Sequence, residues 1–120
     1  MKVAVTAQGT DLNAAMDPRF GRTRYFIVVD TETLAFSAVD NQMNLNAAQG
    51  AGIQAGRNVV ELGVAAVITG HVGPKAFATL QAGGIQIYHG ASGTVADAIE
   101  QYQTGKLQLA QAADVEGHWV

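Results

Sequence analysis

The apolar positions of the chain recur with two different periods. Short runs rich in Val and Ile, or alternating between apolar and polar residues, are typical of β-strands. Apolar residues that recur every three or four positions are typical of helices that pack through one face. On this basis we predict five strands, at residues 2–7, 23–30, 33–41, 65–69 and 85–88, and three helices, at residues 47–62, 74–82 and 94–103.

The order of these elements is βββαβαβα, which predicts an α/β fold. Strands 2 and 3 form a hairpin around the Thr31-Glu32 turn, and the later elements form βαβ units. We therefore expect a three-layer fold with a mixed five-stranded sheet and helices on both of its faces. If strand 1 lies between the hairpin and the later strands, strands 1, 3, 4 and 5 run parallel and strand 2 runs antiparallel to them.

The end of the chain has a weaker pattern. Residues 106–109 are predicted as a short extended piece, and residues 110–120 have no clear period. We therefore expect one domain over residues 1–109, followed by a C-terminal tail over residues 110–120. The tail contains His118 and Trp119.

The composition excludes several classes of function. An apolar fraction of 48% with only 14% charged residues is typical of a globular domain. A net charge of −3 argues against general nucleic-acid binding, which needs a basic face. Without cysteine, the chain forms no disulfide, no thiolate zinc site and no ordinary iron–sulfur cluster. No apolar run is long enough for a membrane span or a signal peptide, so we expect a soluble, cytoplasmic protein without a membrane partner.

The basic residues of this acidic chain are clustered. Arg19, Arg22 and Arg24 are three of its seven Lys and Arg residues, and they end a long non-periodic stretch that begins at residue 8. Like charges repel, so such a cluster needs an anion or several carboxylates beside it. The loop could therefore hold a negative ligand, or it could be a solvated loop whose arginines pair with Asp11 and Asp17.

Polar and glycine-rich segments follow four of the predicted strands. The carboxyl ends of parallel strands in an open α/β sheet meet at one edge, where ligands commonly bind. Three helix N-termini are expected at the same edge, and helix N-termini bind anions through unpaired N–H groups. The candidate cofactor-binding residues at this edge are Arg19, Phe20, Gly21, Arg22, Arg24, Asn41, Asn44, Gly70, His71, Gly73, His89 and Ser92.

Several of these residues also have purely structural interpretations. A His after a strand could cap a helix or bond a loop, and the glycines could only make tight turns. Phe20 could belong to the core. Met16 could offer a thioether ligand, although such residues more often fill gaps under loops. We assign no direct metal ligand, and the candidates for that role are His71, His89 and Met16.

Five segments of the chain carry a family resemblance. They are Thr6–Gly9 after strand 1, Phe20-Gly21-Arg22-x-x-Tyr25-Phe26, Asn41–Asn46 before a glycine-rich helix, the Gly70–Gly73 turn and Ile99-x-x-Tyr102-x-x-Gly105-Lys106-Leu107. In this order and spacing they resemble the dinitrogenase iron–molybdenum cofactor biosynthesis family, over residues 1–109.

The resemblance implies a ribonuclease-H-like fold and a protein that binds, carries or inserts an anionic metal–sulfur cluster or its precursor. Small cysteine-free members, which this chain matches in size, hold a molybdenum–copper sulfide cluster non-covalently. Such a cluster, or a related molybdenum or iron–sulfur cluster, brings its own sulfides. Arginines, helix N-termini and backbone N–H groups can therefore hold it without a protein thiolate. The implied partners are this cargo and a cofactor-assembly protein or ATPase.

Two other classes of function fit parts of the sequence. A nuclease or phosphotransfer enzyme on this scaffold needs carboxylates for two metals, the first normally on strand 1, and residues 2–7 contain no acid. Ser92 lies three residues from His89, but no acid is placed to orient the His, so we expect no enzyme. The alternative that stays open is a regulatory module whose basic loop binds a phosphorylated small molecule or a partner ATPase. Metal analysis would distinguish it from a carrier.

Overall fold

A computed structural model describes residues 1–41 and 51–112. These residues form six strands and three helices in the predicted order, with one strand added at the end. The elements are β1 (Lys2–Ala7), β2 (Tyr25–Asp30), β3 (Phe36–Asp40), α1 (Ala51–Glu61), β4 (Ala66–Ile68), α2 (Pro74–Ala82), β5 (Gln86–His89), α3 (Val95–Gln103) and β6 (Gln108–Leu109).

The strands form one mixed sheet in the order β3-β2-β1-β4-β5-β6. β1 is antiparallel to β2 and parallel to β4, and β4 is parallel to β5. β1 therefore lies between the hairpin and the later strands, as predicted. All parallel strands end at the same edge of the sheet, so the loops that follow them are neighbours.

The predicted count of five strands is wrong, because β6 adds a sixth. The extended piece predicted at residues 106–109 pairs antiparallel with β5, with Leu109 opposite Tyr88 and Gln108 opposite His89. The Ala110 N–H continues this pairing with a 2.7 Å bond to the Ile87 carbonyl. A strand of two residues is too short to show an alternating pattern, so only its tertiary partner reveals it.

The two faces of the sheet carry separate cores. Val3, Val5 and Ala7 of β1 pack on one face beneath α3. Ala4 faces the other way, into a core shared with α1 and α2. Adjacent residues of a strand point to opposite faces, so the uninterrupted apolar run of β1 follows from its burial on both sides. The predicted three-layer arrangement is confirmed.

α3 begins with a capping box. The Thr94 hydroxyl accepts the Asp97 N–H at 3.1 Å, and the Asp97 carboxylate accepts the Thr94 N–H at 3.0 Å. Asp stands at the position where Glu is more usual, and both bonds are present.

Within the described part of the chain, no helix is long and apolar enough to cross a membrane.

Candidate functional site

The loop between β1 and β2 crosses the carboxyl ends of the neighbouring strands. We call residues 17–24 the arginine loop and residues 70–73, which follow β4, the His71 turn. The His71 N–H donates to the Pro18 carbonyl at 2.7 Å, and the Phe20 N–H donates to the His71 carbonyl at 3.2 Å. The arginine loop therefore runs beside the His71 turn like a short added strand.

This pairing brings two of the predicted site residues together. Arg19 and His71 are directly opposite each other in a parallel bridge. Directly paired residues carry their side chains on the same face, so the side chains of Arg19 and His71 leave the backbone on one side. Arg19 is exposed and His71 is half-buried. A surface anion could therefore contact both side chains.

α2 starts three residues after His71 and adds a third source of positive potential. Gly73 is the N-cap, and no side chain caps the helix. Pro74 opens the first turn and has no N–H group of its own. The remaining first-turn N–H groups and the helix dipole favour an anion at this end. Gly73 is therefore the N-cap of this helix, and its place in an anion site stays a prediction.

The N-terminus of α3 does not contribute in the same way. The Val95 N–H donates to the Ala14 carbonyl and the Ala96 N–H to the Leu12 carbonyl, both at 2.9 Å. The loop after β1 therefore occupies the donors that an anion would need. The expectation that three open helix N-termini converge is wrong for α3, and α1 begins directly after residues 42–50, which lie outside the described residues.

Gly70 has a packing reason to be glycine. A Cβ built on it would lie 2.7 Å from the Pro18 carbonyl oxygen and 2.8 Å from the Pro18 Cα. The Gly90 N–H donates to the Gly70 carbonyl at 3.0 Å from the other side. Gly70 therefore allows the arginine loop and the loop after β5 to approach the end of β4 together.

The remaining arginine-loop residues divide between surface and core. Arg22 is half-buried, and Arg24 is exposed, with its guanidinium carbon 5.7 Å from the centre of the Tyr25 ring. Gly21 is buried. Phe20 is fully buried, which agrees with its interpretation as a core residue, and its ring centre lies 5.5 Å from that of Phe26. Phe20 thus anchors the loop from below.

The two predicted residues at the end of β5 and in the loop after it, His89 and Ser92, have structural partners. His89 is half-buried and pairs with Gln108 of β6. Ser92 is exposed, and its backbone is bracketed by Gln101 of α3, whose amide accepts the Ser92 N–H at 3.2 Å and donates to the Ser92 carbonyl at 3.0 Å. These bonds fix the backbone of Ser92 against α3.

Asn41 holds the end of the arginine loop. It is only 2% exposed, and its side-chain amide donates to the Thr23 carbonyl at 2.8 Å. Its backbone N–H donates to the Arg24 carbonyl, also at 2.8 Å. Asn44 lies outside the described residues, as do His118 and Trp119.

Met16 is buried in the core beneath α3. This location agrees with its interpretation as a residue that fills space under a loop. Within residues 1–41 and 51–112, no group of three His, Cys, Asp or Glu side chains is arranged to hold a metal ion.

Asp17 brings a buried carboxyl group into the arginine loop. It is 7% exposed, and its carboxylate accepts the Arg19 N–H at 3.0 Å. Burial raises the pKa of Asp17 above its ordinary value, and the bond from Arg19 and the positive charge of Arg19 offset part of that rise. The contact of Arg19 with Asp17 is thus a backbone bond, and the Asp11 carboxylate accepts the Asn13 N–H in a local turn. The predicted pairing of the arginine side chains with Asp11 and Asp17 stays a prediction.

Comparison with known proteins identifies the family. A family model described as dinitrogenase iron–molybdenum cofactor matches residues 1–105. The chain belongs to the dinitrogenase iron–molybdenum cofactor family. The family resemblance inferred from the sequence is therefore confirmed. The match over residues 1–105 includes every described helix and strand except β6.

Two solved structures and one sequence relative are similar to this chain over most of its length. The apo form of the orange protein of Desulfovibrio gigas is 40% identical, with a TM-score of 0.91, over 95% of this chain and 96% of that one. A Thermotoga NifB-like protein of the DUF35 family is 35% identical, with a TM-score of 0.83, over 97% and 98%. An uncharacterized protein of Methanocaldococcus jannaschii is 26% identical over 90% of each chain.

Three threonines of this family member support the site and were not predicted from the sequence. Thr6, Thr23 and Thr69 are fully buried. The Thr6 hydroxyl lies 2.6 Å from the Asp17 carbonyl and 3.0 Å from the Thr69 hydroxyl. The Thr23 hydroxyl accepts the Ala7 N–H at 2.9 Å. Thr6 and Thr69 share a local pattern that could have revealed them, because each comes directly after an apolar run, Val3–Val5 in β1 and Ala66–Ile68 in β4.

Proposed function

We propose that the arginine loop and the His71 turn bind an anionic metal–sulfur cluster as non-covalent cargo. The observation that carries this proposal is the direct pairing of Arg19 with His71, three residues before the start of α2, which has no side-chain cap. Three groups that favour a negative charge are thereby held together by backbone hydrogen bonds. The cargo is a molybdenum–copper sulfide cluster or a related cluster of the iron–molybdenum type, as the family resemblance implies.

The chemistry of the site suits a cluster that carries its own sulfide ligands. The chain has no cysteine to supply thiolates. The site offers instead an arginine fork, an imidazole and backbone donors, which together can hold a multiply charged anion. Membership of the cofactor family and the similarity to the orange protein support cargo binding. In this proposal the protein carries the cluster and catalyses no reaction.

The other predicted residues have defined parts in this proposal. Arg22 and Arg24 extend the positive surface of the arginine loop, and His89 and Ser92 border it at the next strand end. His71 contacts the cluster most directly, as a hydrogen-bond donor or as a nitrogen ligand. The strand order β3-β2-β1-β4-β5, with only β2 reversed, supports the ribonuclease-H-like fold. A cofactor-assembly protein is the partner that would deliver or receive the cargo.

Reconstitution of the metal-free protein tests this proposal. The protein is incubated with tetrathiomolybdate and copper and desalted, and its visible spectrum and metal content are measured. We expect a coloured protein that retains molybdenum and copper in a fixed ratio. The triple variant Arg19→Ala, Arg22→Ala, Arg24→Ala should fold but lose most of the bound metal, because the main positive charge of the site is gone.

The matched control removes the same charge elsewhere. Lys2→Ala, Arg57→Ala and Lys106→Ala together change the net charge equally but leave the arginine loop intact. This control should retain metal like the wild type. Equal retention by both triple variants would overturn the assignment of the site. A wild-type protein that takes up no metal, yet binds a phosphorylated small molecule in an Arg-dependent way, would support the regulatory alternative instead.

A further inference from the structure

We propose that Thr6 and Thr69 are positioning residues of this site, and that their hydroxyls form a hydrogen-bond relay which sets the arginine loop against the His71 turn. The inference rests on the proposed function for its effect on cargo, but the relay itself is a feature of the protein alone. Neither side chain can contact cargo, because both residues are fully buried.

The direction of the relay follows from counting hydrogens. Thr6 has one hydroxyl hydrogen and two candidate partners, the Asp17 carbonyl at 2.6 Å and the Thr69 hydroxyl at 3.0 Å. A carbonyl oxygen only accepts, so the Thr6 hydrogen belongs to the shorter contact. The Thr69 hydroxyl must then donate to Thr6. The chain of bonds therefore runs from Thr69 to Thr6 to Asp17.

The relay acts on both halves of the site. Thr6 holds Asp17 twice, since the Thr6 carbonyl also accepts the Asp17 N–H at 2.9 Å. Asp17 lies two residues before Arg19, and Thr69 lies two residues before His71. Pro18, between Asp17 and Arg19, has no N–H. The backbone therefore has one donor fewer with which to fix this part of the loop. The Thr6 hydroxyl adds one further bond to this part of the loop, at the Asp17 carbonyl.

Packing alone does not explain why these two positions carry threonine. The other residues of β1 and β4 that point into the cores are Val, Ile and Ala. Val has nearly the same shape as Thr, and a buried hydroxyl is unfavourable unless it is hydrogen-bonded. Valine would fill the same space as Thr6 and Thr69 at these adjacent strand ends. Among the described residues, the bonds of the two hydroxyls are those of the relay.

Valine variants test the relay by reconstitution with tetrathiomolybdate and copper. Thr6→Val should weaken cluster binding about tenfold, because the Asp17 carbonyl loses its buried partner. Thr69→Val should weaken it less, since the Thr6–Asp17 bond survives. The double variant should be no worse than Thr6→Val alone, because the first change already breaks the link that the second removes. Thr6→Ser and Thr69→Ser should bind like the wild type.

Thr79→Val is the matched control, because its hydroxyl bonds only within α2, to the Lys75 carbonyl. Amide NMR shifts and hydrogen exchange at Arg19 and His71 follow the relay without any cargo, and they should change in both Val variants but not in Thr79→Val. Additive Val effects, or unchanged Arg19 and His71 amides in Thr6→Val, would overturn the relay. If Thr6→Val fails to fold, Thr69→Val and the Ser variants decide the matter. A wild type that binds no cluster would overturn the proposed function, while the NMR measurement still tests the relay.

Discussion

Asp17 and Asp30 form the same local turn at opposite ends of β1. Each carboxylate accepts the backbone N–H two residues further on, Asp17 from Arg19 at 3.0 Å and Asp30 from Glu32 at 2.9 Å. Their electrostatics are nevertheless opposite. Burial raises the pKa of Asp17. Backbone bonds from Glu32 and then Thr33 lower the pKa of Asp30, and they outweigh the opposing effect of desolvation.

The difference shows which end of the sheet is built to hold its loop in place. At the arginine-loop end, buried side chains such as Thr6 and Asn41 bond the loop from below. At the other end, exposed groups hold the turn between β2 and β3. The Thr31 hydroxyl donates to the Met1 carbonyl at 3.1 Å, and the Gln103 side-chain amide donates to the Thr31 carbonyl at 2.9 Å. Binding sites need a geometry that is set before the ligand arrives, and buried polar contacts supply it.

The largest effect on this comparison is expected from Gly70→Ala. The added Cβ would meet the Pro18 backbone at less than 3 Å, so the arginine loop must move. We expect a loss of about 3 kcal/mol in the free energy of unfolding, measured by urea denaturation. At the other end, Gly84→Ala adds a Cβ in open space at a φ of 77°, and about 1 kcal/mol should be lost. Equal losses would mean that the loop does not press on Gly70.

A smaller effect with a clear sign is expected from Asp17→Asn and Asp30→Asn. Because the pKa of Asp17 is raised, its contribution to stability is present below the unfolded pKa of about 4 and is lost as pH rises through the folded pKa. Because the pKa of Asp30 is lowered, its contribution is present above about pH 4 and is lost as pH falls through the folded pKa.

Stability measured from pH 2.5 to 7 should therefore separate the two variants. Relative to the wild type, Asp17→Asn should gain stability as pH rises, since it removes a buried charge but keeps an oxygen for the Arg19 N–H. Asp30→Asn should lose stability relative to the wild type over the same rise. Parallel pH profiles for the two variants would remove the contrast between the two ends.

The smallest effect is expected from Leu34→Gly in the turn between β2 and β3. Leu34 has a φ of 63°, a left-handed conformation that is unfavourable for a residue with a side chain, and it is 48% exposed. Glycine should relieve this strain and stabilise the protein by about 0.5 kcal/mol. Leu109→Gly is the matched control, because Leu109 is 45% exposed but lies in β6, where glycine should destabilise. Thermal denaturation of both variants gives the signs, and a destabilised Leu34→Gly would show that the turn is unstrained.

Most of the fold could be predicted from the sequence, because burial against the two cores sets the spacing of apolar residues in the strands and helices. The apolar run at residues 25–30 predicts a strand, and the spacing of apolar residues over 94–103 predicts a helix. β6 could not be predicted in the same way, since two residues show no period and only β5 defines them. A local sequence pattern predicts an element well when the element has its own apolar period. It predicts an element poorly when, as for β6, only pairing with another strand defines it.

The site was predictable to a lesser depth. The cluster of Arg19, Arg22 and Arg24 and the edge at which it lies follow from charge and topology. The pairing of Arg19 with His71 needs a hydrogen-bond register that no sequence period contains. The occupied start of α3 was missed for the same reason, because the carbonyls of Leu12 and Ala14 fill it from a distant part of the chain.

These contacts have a consequence for the order of events during synthesis. The bonds from Val95 to Ala14, from Ala96 to Leu12 and from Met16 to Gly93 each join residues about 80 positions apart. A ribosome releases the arginines early and the residues that frame their loop late. The segment that leads into the arginine loop is therefore fixed only after α3 has emerged. On the proposed function, we expect a nascent chain to hold cargo less tightly before that point than after it.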